Sequence, residues 1–101
     1  MGSVKMTEQD KFELSKRVAK LYGIKAVSDE TEYRLAYDSA RCFELAVEHG
    51  VHIKNYYLCV ECTCGNALED FERENYLDHP TKAEATRIAI LKCLVKMKEG
   101  V

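Results

Sequence analysis

The C-terminal stretch constrains the fold of this chain most. Thr81-Lys82-Ala83-Glu84 has the spacing of a capping box, in which a Thr hydroxyl and a Glu carboxylate three residues later satisfy backbone N–H groups at a helix start. Pro80, just ahead of it, biases the preceding residue toward an extended conformation. Beyond the cap, Ala85, Ile88, Ala89, Leu91, Leu94 and Val95 recur at helical spacing and make a broad apolar face, and Gly100 closes the segment. A helix this apolar is stable only when other elements cover it, so the rest of the chain must supply that cover.

Two earlier segments have the right pattern. Residues 8–22 read as a helix, with Thr7 as N-cap and Asp10 three residues on as a short capping box. Leu14, Val18, Leu21 and Tyr22 form its apolar stripe, and Gly23 stands where a left-handed cap is wanted. A second helix is predicted to start at Asp38 or Ser39, to run to about His49 and to stop at Gly50. Its expected buried face is Phe43, Ala46 and Val47 with Cys42. Residues 24–27 read as a short strand or extended connection, and residues 28–32 as a polar loop.

Strand character is strongest in the middle of the chain. Residues 51–54 alternate. Across residues 56–64, Tyr56, Leu58, Val60, Cys62 and Cys64 share one face, and Tyr57, Cys59, Glu61 and Thr63 share the other. Gly65-Asn66 is a turn signal that ends the run. Residues 67–78 fit a short helix, an edge strand or an ordered loop. The expected element order is α, β, α, β, α. The fold class is α+β: three helices packed with a small, mainly antiparallel sheet in a single domain over residues 6–101. Met1-Gly2-Ser3 reads as added sequence and Met6 as the natural start, so residues 1–5 are set aside.

Composition narrows the setting. At 101 residues the chain holds one domain with one core. Its formal net charge of −2 does not suit a nucleic-acid binder. Five cysteines, an odd number in uneven clusters, argue against a disulfide framework and for reduced thiols in a cytoplasm. No apolar run reaches the ~18 residues of a membrane span, and the first residues lack a leader's apolar core.

Three stretches carry a family likeness. They are residues 14–19 (Leu14-Ser15-Lys16-Arg17-Val18-Ala19), residues 37–53 from Tyr37-Asp38-Ser39-Ala40 through Gly50-Val51-His52-Ile53, and His79-Pro80-Thr81-Lys82-Ala83-Glu84-Ala85 with Ile88-Ala89 and Leu91. Together they resemble the small phage proteins of the α/β/α sandwich type, which include the NinX-like group. The chain lacks the Trp that those proteins often carry. His-Pro-Thr leading into an alanine-containing helix is also similar to some small anti-CRISPR proteins. The resemblance implies a phage or prophage origin and a bacterial host cytoplasm. It transfers no catalytic residue.

Chemistry-bearing residues are few. Cys59, Cys62 and Cys64 could begin a zinc module, with Cys93, His49, His52 or His79 completing the four ligands that zinc takes. In a strand, however, Cys59 and Cys62 point to opposite faces. Packing thiols are therefore the expectation, with no metal, no cofactor and no catalytic set. His79 reads as a loop or cap residue and His49 as a last-turn residue. Charge is segregated: Glu69, Asp70, Glu72, Glu74 and Asp78 face only Arg73 in residues 65–78. Lys82, Arg87, Lys92, Lys96 and Lys98 outnumber Glu84 and Glu99 in residues 81–99. This suits either internal balance or a docking surface. The expected function is non-catalytic binding of a host protein through Glu69, Asp70, Glu72, Glu74 and Tyr76, with inhibition of a defence complex such as CRISPR–Cas as one form of it. A homodimer is also expected, with Tyr57 and Cys59 at its interface on an outer sheet face too apolar for water.

Overall fold

The computed structural model describes residues 6–24, 35–64 and 71–99. Helix α1 (Glu8–Leu21) starts on a complete capping box: Thr7 Oγ1 accepts from Asp10 N–H, and Asp10 accepts from Thr7 N–H. It ends in a Schellman motif. Gly23 sits at φ 63, its N–H reaches Lys20 O, and the Ile24 N–H reaches Ala19 O at 2.9 Å. Helix α2 (Ser39–His49) is capped by the Asp38 carboxylate on Arg41 N–H and stopped by Gly50 at φ 72. Helix α3 (Lys82–Glu99) starts with Thr81 Oγ1 on Glu84 N–H.

Three strands, β1 (Val51–Asn55), β2 (Cys59–Cys64) and β3 (Phe71–Asn75), form an antiparallel meander in the order β1-β2-β3. The architecture is α+β, as expected. All described strands lie between α2 and α3. Ile24 lies outside any strand, and the rest of the strand expected at residues 24–27 falls outside the described residues. Residues 71–75, left open by sequence, form a strand that is an edge among the described residues. The run at 56–64 breaks: Tyr56 N–H closes onto Cys59 O at 2.8 Å, leaving Tyr57-Leu58 as a two-residue hairpin loop. Tyr56 and Leu58 are exposed instead of sharing the buried face of Val60 and Cys62.

Helix α3 lies across one face of the sheet, and α1 and α2 pack on α3, so α3 is covered from several sides. Ile88, Ala89, Leu91, Cys93 and Leu94 are all fully buried. Fully burying each Leu or Ile contributes about 1.5–3 kcal/mol. Val60 and Cys62 of β2 meet the helix from the sheet side. In α2, Cys42, Leu45 and Ala46 turn inward. Phe43 and Val47, expected to be buried, are 59% and 67% exposed. The apolar residues of α2 cover more than one face, and the face that meets α3 is the one through Leu45.

The buried surface of α1 also departs from its apolar stripe, because Lys11 and Ser15 are buried along with Val18 and Ala19. Ser15 Oγ accepts from Ala36 N–H at 3.0 Å. Lys11 Nζ lies 2.6 Å from Glu84 and 3.5 Å from Glu8. Glu84 thus links α1 to the first turn of α3. Burial pulls the Lys11 pKa down, but the hydrogen bond and charge of Glu84, with Glu8, outweigh burial and hold it above the ordinary 10.5. The contribution of Lys11 is therefore fully present below that ordinary value and is lost as pH rises through the raised one. Two results should follow in urea melts. Glu84→Gln should cost about 3 kcal/mol by leaving a buried ammonium with only the exposed Glu8 as its ionic partner, and a Lys11→Met/Glu84→Leu pair should recover most of that loss. The stability advantage of the native chain over that double variant should also shrink as pH rises through the raised Lys11 value.

Candidate functional site

The inner face of β3 carries two of the acids predicted to bind a partner. Glu74 accepts from Lys92 Nζ at 2.9 Å and lies 2.8 Å from His79 Nε2. Glu72 lies 3.9 Å from Lys96. Both acids are half-buried against α3. The acidic strand and the basic helix therefore balance each other internally at these positions. Glu69 and Asp70 lie outside the described residues. The His79 ring is buried, and its Nδ1 has no hydrogen-bond partner among the described residues. Sequence reading placed His79 in a loop, which is correct, but could not see that Glu74 reaches it across five residues.

Tyr76 opens a 3-10 turn (Tyr76–Asp78) directly after β3. Its hydroxyl accepts from Asn55 Nδ2 at 2.9 Å, Lys82 Nζ stands 5.2 Å from its ring centre, and its N–H donates to Leu58 O at 3.0 Å. That last bond ties the 3-10 turn to the β1–β2 hairpin loop. One end of the sheet consequently gathers large exposed side chains. Tyr57 is 89% exposed, Leu77 83% and Leu58 62%, with Tyr56 beside them. Tyr56, Tyr57, Leu58, Cys59, Glu61 and Arg73 line a shallow depression there. Glu61 and Arg73 pair across the strands on its polar side.

The open face of the sheet is more polar than expected. His52, Lys54, Glu61, Thr63 and Arg73 stand on it by strand parity, together with Cys59. Tyr57 belongs to the loop rather than to this face. Within the sheet and its turns, hydrophobic exposure gathers at the hairpin end, a feature the alternating pattern hid by running the strand through the turn.

The cysteines separate as strand parity requires. Cys62 is buried inward and Cys59 is half-exposed outward. Among the described residues no three His, Cys, Asp or Glu side chains converge as metal ligands. Cys42 donates to Leu35 O at 3.0 Å, and burial pushes its thiol pKa up to about 12. No described helix is long and apolar enough to cross a membrane. Comparison with known protein families, characterised proteins and solved structures finds no match in any of the three.

These thiol environments predict selective chemistry. In a Cys64→Ser background, a thiol reagent at pH 8 should label one cysteine quickly in the folded protein, and Cys59→Ser should remove that fast phase. Cys42, Cys62 and Cys93 should react only on unfolding, as mass spectrometry of labelled peptides would show.

Proposed function

We propose that this chain is a non-catalytic binding protein that docks a protein partner at the hairpin end of its sheet. The observation that carries the reading is the gathering of Tyr57, Leu58 and Leu77, each mostly exposed, on two turns joined by one backbone hydrogen bond. Aromatic and aliphatic anchors beside a polar rim have the composition of an interface centre, and Glu61 with Arg73 supplies such a rim. An anchor as exposed as Tyr57 does nothing for the core, so folding gives no reason to place it there.

The contacts expected from sequence shift in this reading. Tyr76 stays at the site by positioning Leu77 against the hairpin. Glu72 and Glu74 turn to α3 and support the scaffold. The resemblance to small phage proteins supports a host protein as the partner, a defence complex such as CRISPR–Cas being one instance, in a bacterial cytoplasm.

Tyr57→Lys and Leu77→Lys test the surface. Both side chains are exposed, so melting should shift stability by no more than about 0.5 kcal/mol. Recovery of a partner from bacterial host lysate should fall at least about tenfold in either variant, the loss expected at a hot spot. Recovery equal to that of the unaltered chain would remove this end of the sheet from the interface. Sedimentation at micromolar concentration separates the second reading, a homodimer joined at Tyr57 and Cys59: a dimer abolished by Tyr57→Lys would make a second copy the occupant.

A further inference from the structure

The link from β3 to α3 carries Leu77, one of the exposed side chains of the hairpin end. From Asn75 to Ala83, His79 is the only buried residue among the described residues. The 3-10 turn Tyr76–Asp78 buries none of its own. His79 N–H closes the turn onto Tyr76 O at 3.2 Å. A single helical turn does not order itself in water, because nucleation fixes several dihedrals for one bond. What holds this turn therefore lies outside it.

Two fastenings are present. One is the backbone bond from Tyr76 N–H to Leu58 O at 3.0 Å. The other is the His79 ring, whose side chain is 2% exposed. Its Nε2 meets Glu74 Oε1 at 2.8 Å, and Lys92 Nζ takes Glu74 Oε2 at 2.9 Å. A carboxylate accepts, so Nε2 carries the hydrogen of the first bond. Glu74 is itself a fixed point. It lies in β3 opposite the fully buried Val60 of β2, and Lys92 holds it from α3. Residues 74 and 79 flank the turn, so their bond closes a loop around it.

The choice of histidine is informative. An apolar side chain at position 79 would fill the same place and need no partner. Apolar burial is non-directional, so it would tolerate a rotated or shifted turn. A hydrogen-bonded ring does not, because N–H···O bonds weaken when bent by more than about 30° from straight. We propose that His79 is a positioning residue for the docking end: its buried ring, bonded to Glu74, fixes the turn in the geometry that presents Leu77 beside the hairpin loop. This rests on the reading of that end as a docking surface and adds a condition to it. Leu77 anchors a partner while the His79–Glu74 bond is made. With the bond lost, the turn must be ordered on association, and that cost is subtracted from affinity.

Two substitutions separate the bond from the bulk. His79→Leu keeps an apolar volume and removes the donor. His79→Gln keeps an N–H donor at similar reach. Glu74 retains Lys92 in both, so no carboxylate is stranded. The first readout is amide hydrogen exchange by NMR. In His79→Leu the amides of residues 76 and 79 should exchange at least about tenfold faster, while those of Leu91 and Leu94 in the core keep their protection. His79→Gln should restore most of the protection at the turn, a rescue that a space-filling role would not produce. The second readout is recovery of the host-lysate protein that the native chain captures and Leu77→Lys does not. His79→Leu should lower that recovery at least about tenfold, and His79→Gln should bring it back. Unchanged exchange at residues 76 and 79 in His79→Leu overturns the proposal, as does fast exchange with full recovery. Should His79→Leu lose the core protection too, His79→Gln decides: fast turn amides in that variant overturn the proposal. If Leu77→Lys loses no lysate protein, the docking reading fails, and the exchange arm still decides whether His79 holds the turn.

Discussion

Burial of α3 organises the molecule. A helix with Ile88, Leu91, Cys93 and Leu94 all out of water needs cover on more than one side, and each other element provides a share. The sheet covers it with Val60 and Cys62, α1 with Val18 and Ala19, and α2 with Leu45 and Ala46. Polar links then fix the angles. Lys11 reaches Glu84 at the start of α3, Tyr22 donates to Leu94 O near its end, and Arg87 donates to Ala36 O between them. Non-directional burial holds the layers together, while these hydrogen bonds choose one arrangement among the many that would bury the same area.

Local signals were legible in the sequence where local physics decides the outcome. Thr7 with Asp10, Asp38, Gly50 and Thr81 marked helix ends correctly, because a cap is settled by residues three or four apart. Tertiary choices were hidden. Phe43 and Val47 looked like core because nothing in α2 itself says which apolar face will meet α3. The hairpin at Tyr57-Leu58 was missed because it lacks the Gly, Asn or Asp that usually marks such a loop, and no described non-Gly residue takes a positive φ. The same miss concealed the candidate site, since those two residues lead it.

Electrostatics followed the expectation of internal balance on β3. On β3, Glu72 and Glu74 face inward to lysines of α3, so the acidic strand is neutralised from beneath. On the outer face Lys54 of β1 stands directly opposite Glu61 of β2 in the register. Only long-range pairing could reveal these arrangements. Sequence separation explains the difficulty: Glu74 and Lys92 are eighteen residues apart, and Lys11 and Glu84 much farther.

Gly50 joins α2 to β1 with a single residue in the left-handed region, where an added side chain would meet no neighbour yet would still strain the backbone. A joint that short leaves the helix and the strand no slack to tilt independently. The single-residue joint thus sets the pitch at which Leu45 of the helix and Val51 of the strand enter the same core.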